Sequence, residues 1–329
     1  MKKIINEPDQ VVQDMIDGLI AANPKSLKQV PNTFVVVRAE ASVPGKVALI
    51  SGGGSGHEPA HAGYIGKGML DAAVCGEVFT SPTPDQILEA IKAVDGGSGV
   101  FLIVKNYTGD VLNFEMAAEL AEAEGIQVEK VVVNDDVAVE DSSFTTGRRG
   151  IAGTVFVHKL AGAKAEQGAS LTEVKAVADK VVANVRSMGM ALTPCTVPAA
   201  GKPSFELAED EMEIGIGIHG EPGINRGTIS TANEIATILT EKILDDHNFF
   251  GEVAVLVNGL GATPEMELFI MNKRVHEILG SRGIKVYKTF VGEYMTSLEM
   301  AGCSVTLLAL DEELKELLDA ESQAPAFRM

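Results

Sequence analysis

His219, in the second half of the chain, has a potentially reactive side chain and lies among several glycines. Residues 212–223 read MEIGIGIHGEPG, and their alternation predicts a strand that ends at His219. One face would carry Ile214, Ile216 and Ile218, and the other Glu213, Gly215, Gly217 and His219. Glycine inside a strand often marks the close approach of a ligand. A neutral imidazole is a competent nucleophile toward a carbonyl carbon, although a single histidine ending a strand is more often structural.

A glycine-rich loop in the first half of the chain is a second candidate site. Residues 51–59 read SGGGSGHEP and follow a predicted buried strand at residues 47–50. Ligands of open α/β sheets bind at the carboxyl ends of strands, and glycines let backbone amides approach them closely. The loop lacks the Gly-Lys-Ser/Thr of a Walker motif and a usable dinucleotide spacing, so nucleotide binding is weakly supported. We therefore predict that this loop, with His57 near its end, binds a small substrate. A flexible turn is the alternative.

A third candidate follows the predicted strand at residues 100–104 and reads KNYTGD. Lys105 could donate a hydrogen bond to a hydroxyl or carbonyl oxygen, and Asp110 could accept a hydroxyl proton as a general base. Because this loop and the glycine-rich loop both follow strand ends, we expect them to face one crevice. Asp110 taken alone is equally well explained as a cap of the helix predicted from Leu112.

The other histidines are weaker candidates. His61 lies four residues after His57, a spacing that places two zinc ligands on one face of a helix. Pro59 interrupts that helix and no third ligand is evident, so a metal-dependent hydrolase is a weaker alternative. The remaining histidines lie in or next to predicted helices and are interpreted as structural or solvated: His158, His247 and His276.

Composition restricts the partners of the chain. It has 329 residues, a formal net charge of −19 and no tryptophan. Such a surface repels nucleic-acid phosphates and offers few platforms for stacking bases, so an uncharged small substrate is favoured. Three widely spaced cysteines without a pairing motif are typical of a reducing cytoplasm. We expect neither a signal peptide nor a membrane span, because no apolar stretch has the required pattern.

Alternating helix and strand patterns predict an α/β fold, with two α/β domains whose sheets are flanked by helices. Two helices, at residues 153–167 and 171–188, are predicted to follow the first sheet with no strand between them, and strands resume near Glu211. The predicted domains are residues 1–190, which hold the substrate loops, and residues 191–329, which supply the nucleophilic histidine. The motifs GHEP and HGEP echo one another, which we interpret as coincidence.

Taken together, GGGSGHEP, KNYTGD and GIHGEPG, in this order, resemble the dihydroxyacetone kinase family. The resemblance extends over essentially the whole chain and is to the substrate-binding K subunit of the bacterial phosphotransferase-coupled kinase. It implies two α/β domains, usually in a homodimer, with the ketose between them. It also implies that His219 forms a hemiaminal with the carbonyl carbon of dihydroxyacetone, and that His57 and Asp110 are acid/base groups. The implied pocket is lined by Gly54, Ser55, Gly56, His57, Lys105 and Asp110.

The resemblance also implies where the remaining chemistry takes place. No phosphate clamp or aspartate cluster suited to magnesium is evident in the last part of the sequence, so we expect no cofactor or metal on this chain. ADP or ATP with magnesium would be held by an L subunit, which an M subunit recharges from phosphoenolpyruvate. The expected function is to present dihydroxyacetone for phosphorylation to dihydroxyacetone phosphate. A dihydroxyacetone-sensing coactivator without phosphoryl transfer is the alternative, and the presence of His57 and Asp110 favours the enzyme.

Overall fold

Helices and strands alternate along the chain in the computed structural model, which describes residues 2–139 and 147–329. The helices are α1 Val11–Ala22, α2 Pro84–Val94, α3 Thr108–Ala123, α4 Thr154–Glu166, α5 Leu171–Asn184, α6 Ala232–Asp246, α7 Glu265–Ser281 and α8 Glu312–Asp319. The strands are β1 Leu27–Gln29, β2 Val35–Arg38, β3 Ala48–Ser55, β4 Ala72–Val78, β5 Val100–Lys105, β6 Val128–Val133, β7 Val185–Ala191, β8 Glu211–Ile214, β9 Asn225–Thr228, β10 Glu252–Gly259, β11 Lys285–Gly292, β12 Gly302–Leu310, β13 Gln323–Ala324 and β14 Phe327–Arg328.

The first sheet has the strand order β1-β2-β4-β3-β5-β6. Strands β3 to β6 are parallel, and β1 and β2 extend the sheet in antiparallel pairing. Helices α2 and α3 cover one face, while α1, α4 and α5 cover the other, which explains why the central strands are apolar on both sides. The carboxyl ends of β3 and β5 therefore meet at one edge, as the sequence predicts.

The second sheet has the order β11-β10-β12-β7-β8-β9, and only its β10–β11 pairing is parallel. Helices α6 and α7 pack on one face. Its other face contributes to an apolar cluster that also contains residues of the first sheet, α4, α5 and α8. The predicted α/β class, with sheets flanked by helices, is confirmed. Within residues 2–139 and 147–329, no helix has the length and apolarity to cross a membrane.

The predicted helix that ends at residue 188 is too long. Helix α5 ends at Asn184, and the chain continues directly into β7 Val185–Ala191. Because β7 pairs with β12 along its length, strand pairing overrides the helical pattern of these residues. The prediction that strands resume near Glu211 is therefore wrong, because they resume at Val185. A domain boundary at residue 190 stays a prediction, although this residue lies within the first strand of the second sheet.

The predicted strand to His219 is also too long. Strand β8 ends at Ile214 because Gly215 has a φ angle of +81°, a left-handed conformation that breaks strand geometry. The side chains beyond Gly215 therefore do not alternate between two faces as predicted. Ile214, Ile216 and Ile218 are nevertheless all buried, so their predicted core positions are confirmed.

Candidate active site

The loop after β3 is joined to a loop of the second sheet. The backbone carbonyl of Gly56 accepts a hydrogen bond from the Leu298 N–H at 2.8 Å, and the carbonyl of His57 accepts one from the Thr296 N–H at 3.2 Å. The Thr296 hydroxyl donates to the carbonyl of Glu58 at 2.8 Å. These bonds hold His57 against the part of the fold that carries His219.

The two candidate histidines meet through their Nε2 atoms, which are 3.1 Å apart. His57 is fully buried, and its Nδ1 lies 2.8 Å from the carbonyl oxygen of Thr296. That oxygen can only accept, which assigns a proton to Nδ1 of His57. Burial lowers the pKa of His57 well below its ordinary value, and the charges of His219 and Lys105 lower it further. His57 is therefore a neutral imidazole whose Nε2 lone pair faces His219.

A buried carboxylate holds His219. Oε1 of Glu221 accepts a hydrogen bond from Nδ1 of His219 at 2.9 Å, and Oε2 accepts one from the His219 backbone N–H at 2.9 Å. Burial by itself raises the pKa of Glu221, but the charge and hydrogen bond of His219 and the charge of Arg149 lower it to about 2. Glu221 is thus ionised, and it leaves Nε2 of His219 as the nitrogen available for chemistry.

Lys105 and Asp110 form a second buried group of the site. Their Nζ and Oδ2 atoms are 3.7 Å apart, and the Asp110 carboxylate also accepts a hydrogen bond from the Ser81 hydroxyl. Burial lowers the pKa of Lys105, and Asp110 opposes that shift. Gly53 has a φ angle of +151°, and a Cβ there would lie 2.5 Å from Nζ of Lys105 and 3.3 Å from Oδ2 of Asp110. The glycine-rich strand end and the loop after β5 therefore face one crevice.

Helix capping does not account for Asp110. The N-cap position of α3 is Tyr107, and Asp110 lies inside the first turn of the helix. Its carboxylate points instead toward Ser81 and Lys105. This arrangement favours the alternative in which Asp110 belongs to the site.

Two aromatic rings enclose the histidine pair. Phe79 stacks on His57 with ring centroids 5.1 Å apart, and its ring also meets His219 edge-on at 5.1 Å. Tyr107 contacts His219 edge-on at 4.6 Å. Such packing restricts rotation of the His219 ring, whose side chain remains 19% exposed.

His61 does not pair with His57 as zinc ligands would. Nδ1 of His61 lies 2.9 Å from Nε2 of His158, and its Nε2 lies 3.0 Å from Nζ of Lys105. Both ring nitrogens of His61 are thus engaged within the protein. In the described part of the chain, no three His, Cys, Asp or Glu side chains are grouped as a metal site would require.

The structure brings together His57 with His219, and Lys105 with Asp110. The predicted pocket residues 54–56 make their contacts with other parts of the protein. The Ser55 hydroxyl donates to a carbonyl of β4 at 2.7 Å. A Cβ at Gly54 would lie 2.5 Å from the Thr80 nitrogen, and one at Gly56 2.8 Å from the Phe79 ring. Contact of these three residues with a substrate stays a prediction.

Sequence reasoning missed several residues of the site: Gly53, Phe79, Tyr107 and Glu221. Gly53 belongs to the conspicuous glycine run, and Glu221 follows His219 at a distance of two residues, so both lay inside motifs already singled out. Tyr107 also lies inside a motif already singled out, KNYTGD, whereas Phe79 lies outside all three motifs. Only tertiary packing brings these two aromatic rings to the histidines.

Comparison with known proteins identifies the family. The profile described as the Dak1 domain matches residues 17–326. The dihydroxyacetone-binding subunit DhaK of PTS-dependent dihydroxyacetone kinase 1 from Listeria innocua is 60% identical over 315 residues, which cover 95% of this chain and 95% of that protein. The chain belongs to the dihydroxyacetone kinase family.

Solved structures of this family have the same fold. The dihydroxyacetone kinase of C. freundii superimposes with a TM-score of 0.91 at 39% identity, covering 99% of this chain and 60% of that chain. The dihydroxyacetone kinase operon co-activator Dha-DhaQ superimposes with a TM-score of 0.89 at 38% identity, covering 98% of both chains. The family therefore includes both catalytic and regulatory proteins built on this fold.

Proposed function

We propose that this chain is the dihydroxyacetone-binding subunit of a PTS-dependent dihydroxyacetone kinase and captures the ketose as a hemiaminal on His219. The observation that carries the proposal is the arrangement of His219, whose Nδ1 is held by Glu221 while its Nε2 faces His57. The name of the Listeria innocua relative supports the substrate. Because a three-carbon sugar offers little contact area, a reversible covalent bond supplies both affinity and orientation.

Capture requires one proton in addition to the two held at the Nδ1 atoms. Two facing lone pairs repel, so the 3.1 Å contact needs a proton between the two Nε2 atoms. When the carbonyl enters, this proton passes to the Nε2 lone pair of His57, and the freed lone pair of His219 attacks the carbonyl carbon. A C–N bond forms, the π electron pair moves to oxygen, and the oxygen takes the proton from His57. The low pKa of His57 favours that release.

The product of this step carries its positive charge on the substituted His219 ring. Glu221 lies 2.9 Å from Nδ1 of that ring and is already ionised. A charge-assisted hydrogen bond therefore stabilises the hemiaminal more than it stabilises neutral His219. Glycerol has no electrophilic carbon, so the same chemistry selects ketoses over polyols.

Phosphoryl transfer uses the second group of residues. Asp110 accepts the proton of a terminal hydroxyl as a general base, with its carboxylate oriented by Ser81 and Lys105. Lys105 donates a hydrogen bond to a substrate oxygen, and the backbone of residues 54–56 lines the pocket. The phosphoryl group itself is supplied by a nucleotide held by the partner subunit.

The proposed assembly is a cytoplasmic homodimer that works with an ADP-binding L subunit, which also holds magnesium, and with a phosphoryl-carrier M subunit. The term PTS-dependent in the name of the 60% identical relative supports partners of this kind. The three cysteines are buried free thiols, as is usual in a reducing compartment.

Native mass spectrometry tests the capture step directly. Dihydroxyacetone should raise the mass of the wild-type chain by the full mass of the sugar, because hemiaminal formation releases no water. His219→Ala should abolish this increase, while His276→Ala, at a partly buried helix position, should keep it. Glycerol should give no covalent increase. A wild-type adduct that survives in His219→Ala would refute the proposal.

A co-activator is the second candidate function, because Dha-DhaQ has the same fold over 98% of both chains. Both candidates capture the ketose, but only the kinase subunit passes it on for phosphorylation. Reconstitution with L and M subunits and phosphoenolpyruvate distinguishes them. For the kinase we expect dihydroxyacetone phosphate from the wild type, and an adduct without product from Asp110→Asn. An adduct without product from the wild type would favour the co-activator.

A further inference from the structure

A buried ion pair lies directly behind the carboxylate that holds His219. Asp136 and Arg149 are both fully buried. Oδ2 of Asp136 accepts a hydrogen bond from Nε of Arg149 at 2.8 Å and forms an ion pair with Nη2 at 2.7 Å. Nη2 also donates to the carbonyl oxygen of Gly215 at 2.8 Å. Two of the three guanidinium nitrogens are therefore fixed by Asp136 and by the turn that ends β8.

The third nitrogen, Nη1 of Arg149, lies on the side of Glu221 but forms no hydrogen bond with it. It is buried and has no hydrogen-bond partner in the described part of the chain. A Cβ at Gly217 would lie 2.7 Å from Nη1 of Arg149 and 2.6 Å from Cδ of Glu221, so both groups border the same small space. Nη1 therefore adds its positive charge to this space without a hydrogen bond to the Glu221 carboxylate.

We propose that Arg149, itself fixed by Asp136, is a positioning residue for substrate capture: it keeps Glu221 ionised and oriented so that Nε2 of His219 is presented to the carbonyl carbon. The identity of the substrate rests on the proposed function. The orientation of the His219 ring does not depend on the proposed function, and it can be measured without any ketose.

Electrostatics explains why Glu221 needs such a neighbour. Burial favours the protonated form of a carboxyl group, and a protonated Glu221 would stabilise the cationic hemiaminal poorly. In the described part of the chain, the charges of His219 and Arg149 lower the pKa of this carboxyl group, and the phenol of Tyr107 lies close enough to interact with it. Burial raises the pKa of Tyr107 well above its ordinary value, so the phenol stays neutral. The charge of His219 changes during capture, which leaves Arg149 as the constant positive charge.

A double variant, Arg149→Met with Asp136→Asn, removes the guanidinium without leaving an uncompensated buried carboxylate. Arg149→Lys keeps a positive charge but not the two-nitrogen contact with Asp136. Arg186→Met is the matched control, because it removes another arginine whose carboxylate partner, Asp246, keeps a hydrogen bond from Arg148. Circular dichroism establishes that each variant is folded.

Two measurements are made over a range of pH. Nitrogen-15 NMR of histidine-labelled protein without ketose reports which nitrogens of His219 carry protons. Titration by native mass spectrometry reports the Kd for dihydroxyacetone. In the double variant we expect shifted His219 nitrogen resonances, and a Kd raised by about 10- to 100-fold, the effect of losing an outer partner of a metal-bound histidine. The loss should grow as pH falls, because Glu221 then takes up a proton nearer neutrality. Arg149→Lys should be intermediate and Arg186→Met unchanged.

Unchanged His219 resonances and an unchanged Kd in the folded double variant would overturn this role of Arg149. If the double variant does not fold, Arg149→Lys is the deciding variant. His219 nitrogen resonances that differ from those of the wild type then support the role of Arg149, and unchanged resonances overturn it. A different result would contradict the proposed function, namely the absence of any dihydroxyacetone adduct in the wild type. Shifted resonances in the variants would still support the positioning role in that case.

Discussion

The two nitrogens of His219 face different partners, and this difference accounts for its proposed reactivity. Nδ1 donates to the carboxylate of Glu221, whereas Nδ1 of His57 donates to the neutral carbonyl of Thr296. A carboxylate stabilises an imidazolium better than a carbonyl dipole does. Of the two facing rings, His219 is therefore better suited to carry the positive charge of a covalent adduct, and His57 is better suited to release a proton.

Glu221→Gln tests the charge of the carboxylate separately from its shape. The amide oxygen can still accept from Nδ1 of His219, but it carries no charge. Hydrogen bonds to charged groups contribute about 1.5–3 kcal/mol, so we expect the Kd for dihydroxyacetone to rise about 10- to 100-fold. Native mass titration measures it. Glu313→Gln, on the distant helix α8, should bind as the wild type does, and an unchanged Kd in Glu221→Gln would show that shape alone suffices.

Gly53→Ala tests the space next to Lys105. A Cβ would meet Nζ of Lys105 at 2.5 Å, and the φ angle of +151° is strained for any residue with a side chain. We expect a loss of stability of about 1–3 kcal/mol, as for overpacked cores, together with weakened ketose binding. Gly18→Ala is the control, because nothing lies within 4 Å of its Cβ position in α1. Wild-type stability and binding in Gly53→Ala would show that Lys105 moves freely.

Among the elements, the strand ends could be predicted and the turns could not. Short apolar runs before SGGGSGHEP and KNYTGD indicate strands, and parallel strands bring such loops to one edge of a sheet. The contact between His57 and His219 depends on tertiary packing, including the hydrogen bond that joins His57 to Thr296. No local sequence pattern carries that information.

The segment from Gly215 to His219 shows why an alternating pattern was misleading. Buried isoleucines at every second position are expected of a strand, and all three are buried. A single glycine with positive φ nevertheless turns the chain at Gly215. The echo between the motifs GHEP and HGEP also has a structural counterpart: Glu58 and Glu221 each accept a hydrogen bond from the backbone N–H two residues earlier.

Gly217→Ala tests the turn as the element that positions Glu221. The φ angle of Gly217 is not in the left-handed region, so the backbone tolerates alanine, but its Cβ would lie 2.6 Å from Cδ of Glu221. We expect Glu221 to move away from His219 and adduct formation to weaken about 10-fold or more, comparable to the loss of a charged hydrogen bond. Gly227→Ala, with its nearest atom 3.8 Å away, should behave as the wild type. Equal Kd values for the two variants would contradict this view of the turn.

For the whole molecule, the buried histidines couple the site to stability. His57, His61 and His158 are all buried, and burial lowers the pKa of each, to about 3 for His158. In the unfolded chain each imidazole takes up a proton near its ordinary pKa of about 6.5, whereas in the folded chain it stays neutral to much lower pH. Below about pH 6.5, and until the folded chain also takes up these protons, the unfolded state binds more protons, so the free energy of unfolding falls as pH falls.

Urea unfolding at two pH values measures this coupling. Between about pH 7 and about pH 5, His158 alone should contribute a loss of about 2 kcal/mol, and His57 and His61 act in the same direction. Burial raises the pKa of Asp136 to about 6, which opposes the loss by only about 1 kcal/mol. His158→Gln should therefore reduce the pH dependence by about 2 kcal/mol, whatever its effect at a single pH. His276→Gln, which removes a half-buried imidazole, should reduce it less. A pH dependence that His158→Gln leaves unchanged would mean that His158 is protonated in the folded chain, and that the buried group around Lys105 holds one more positive charge than its burial allows.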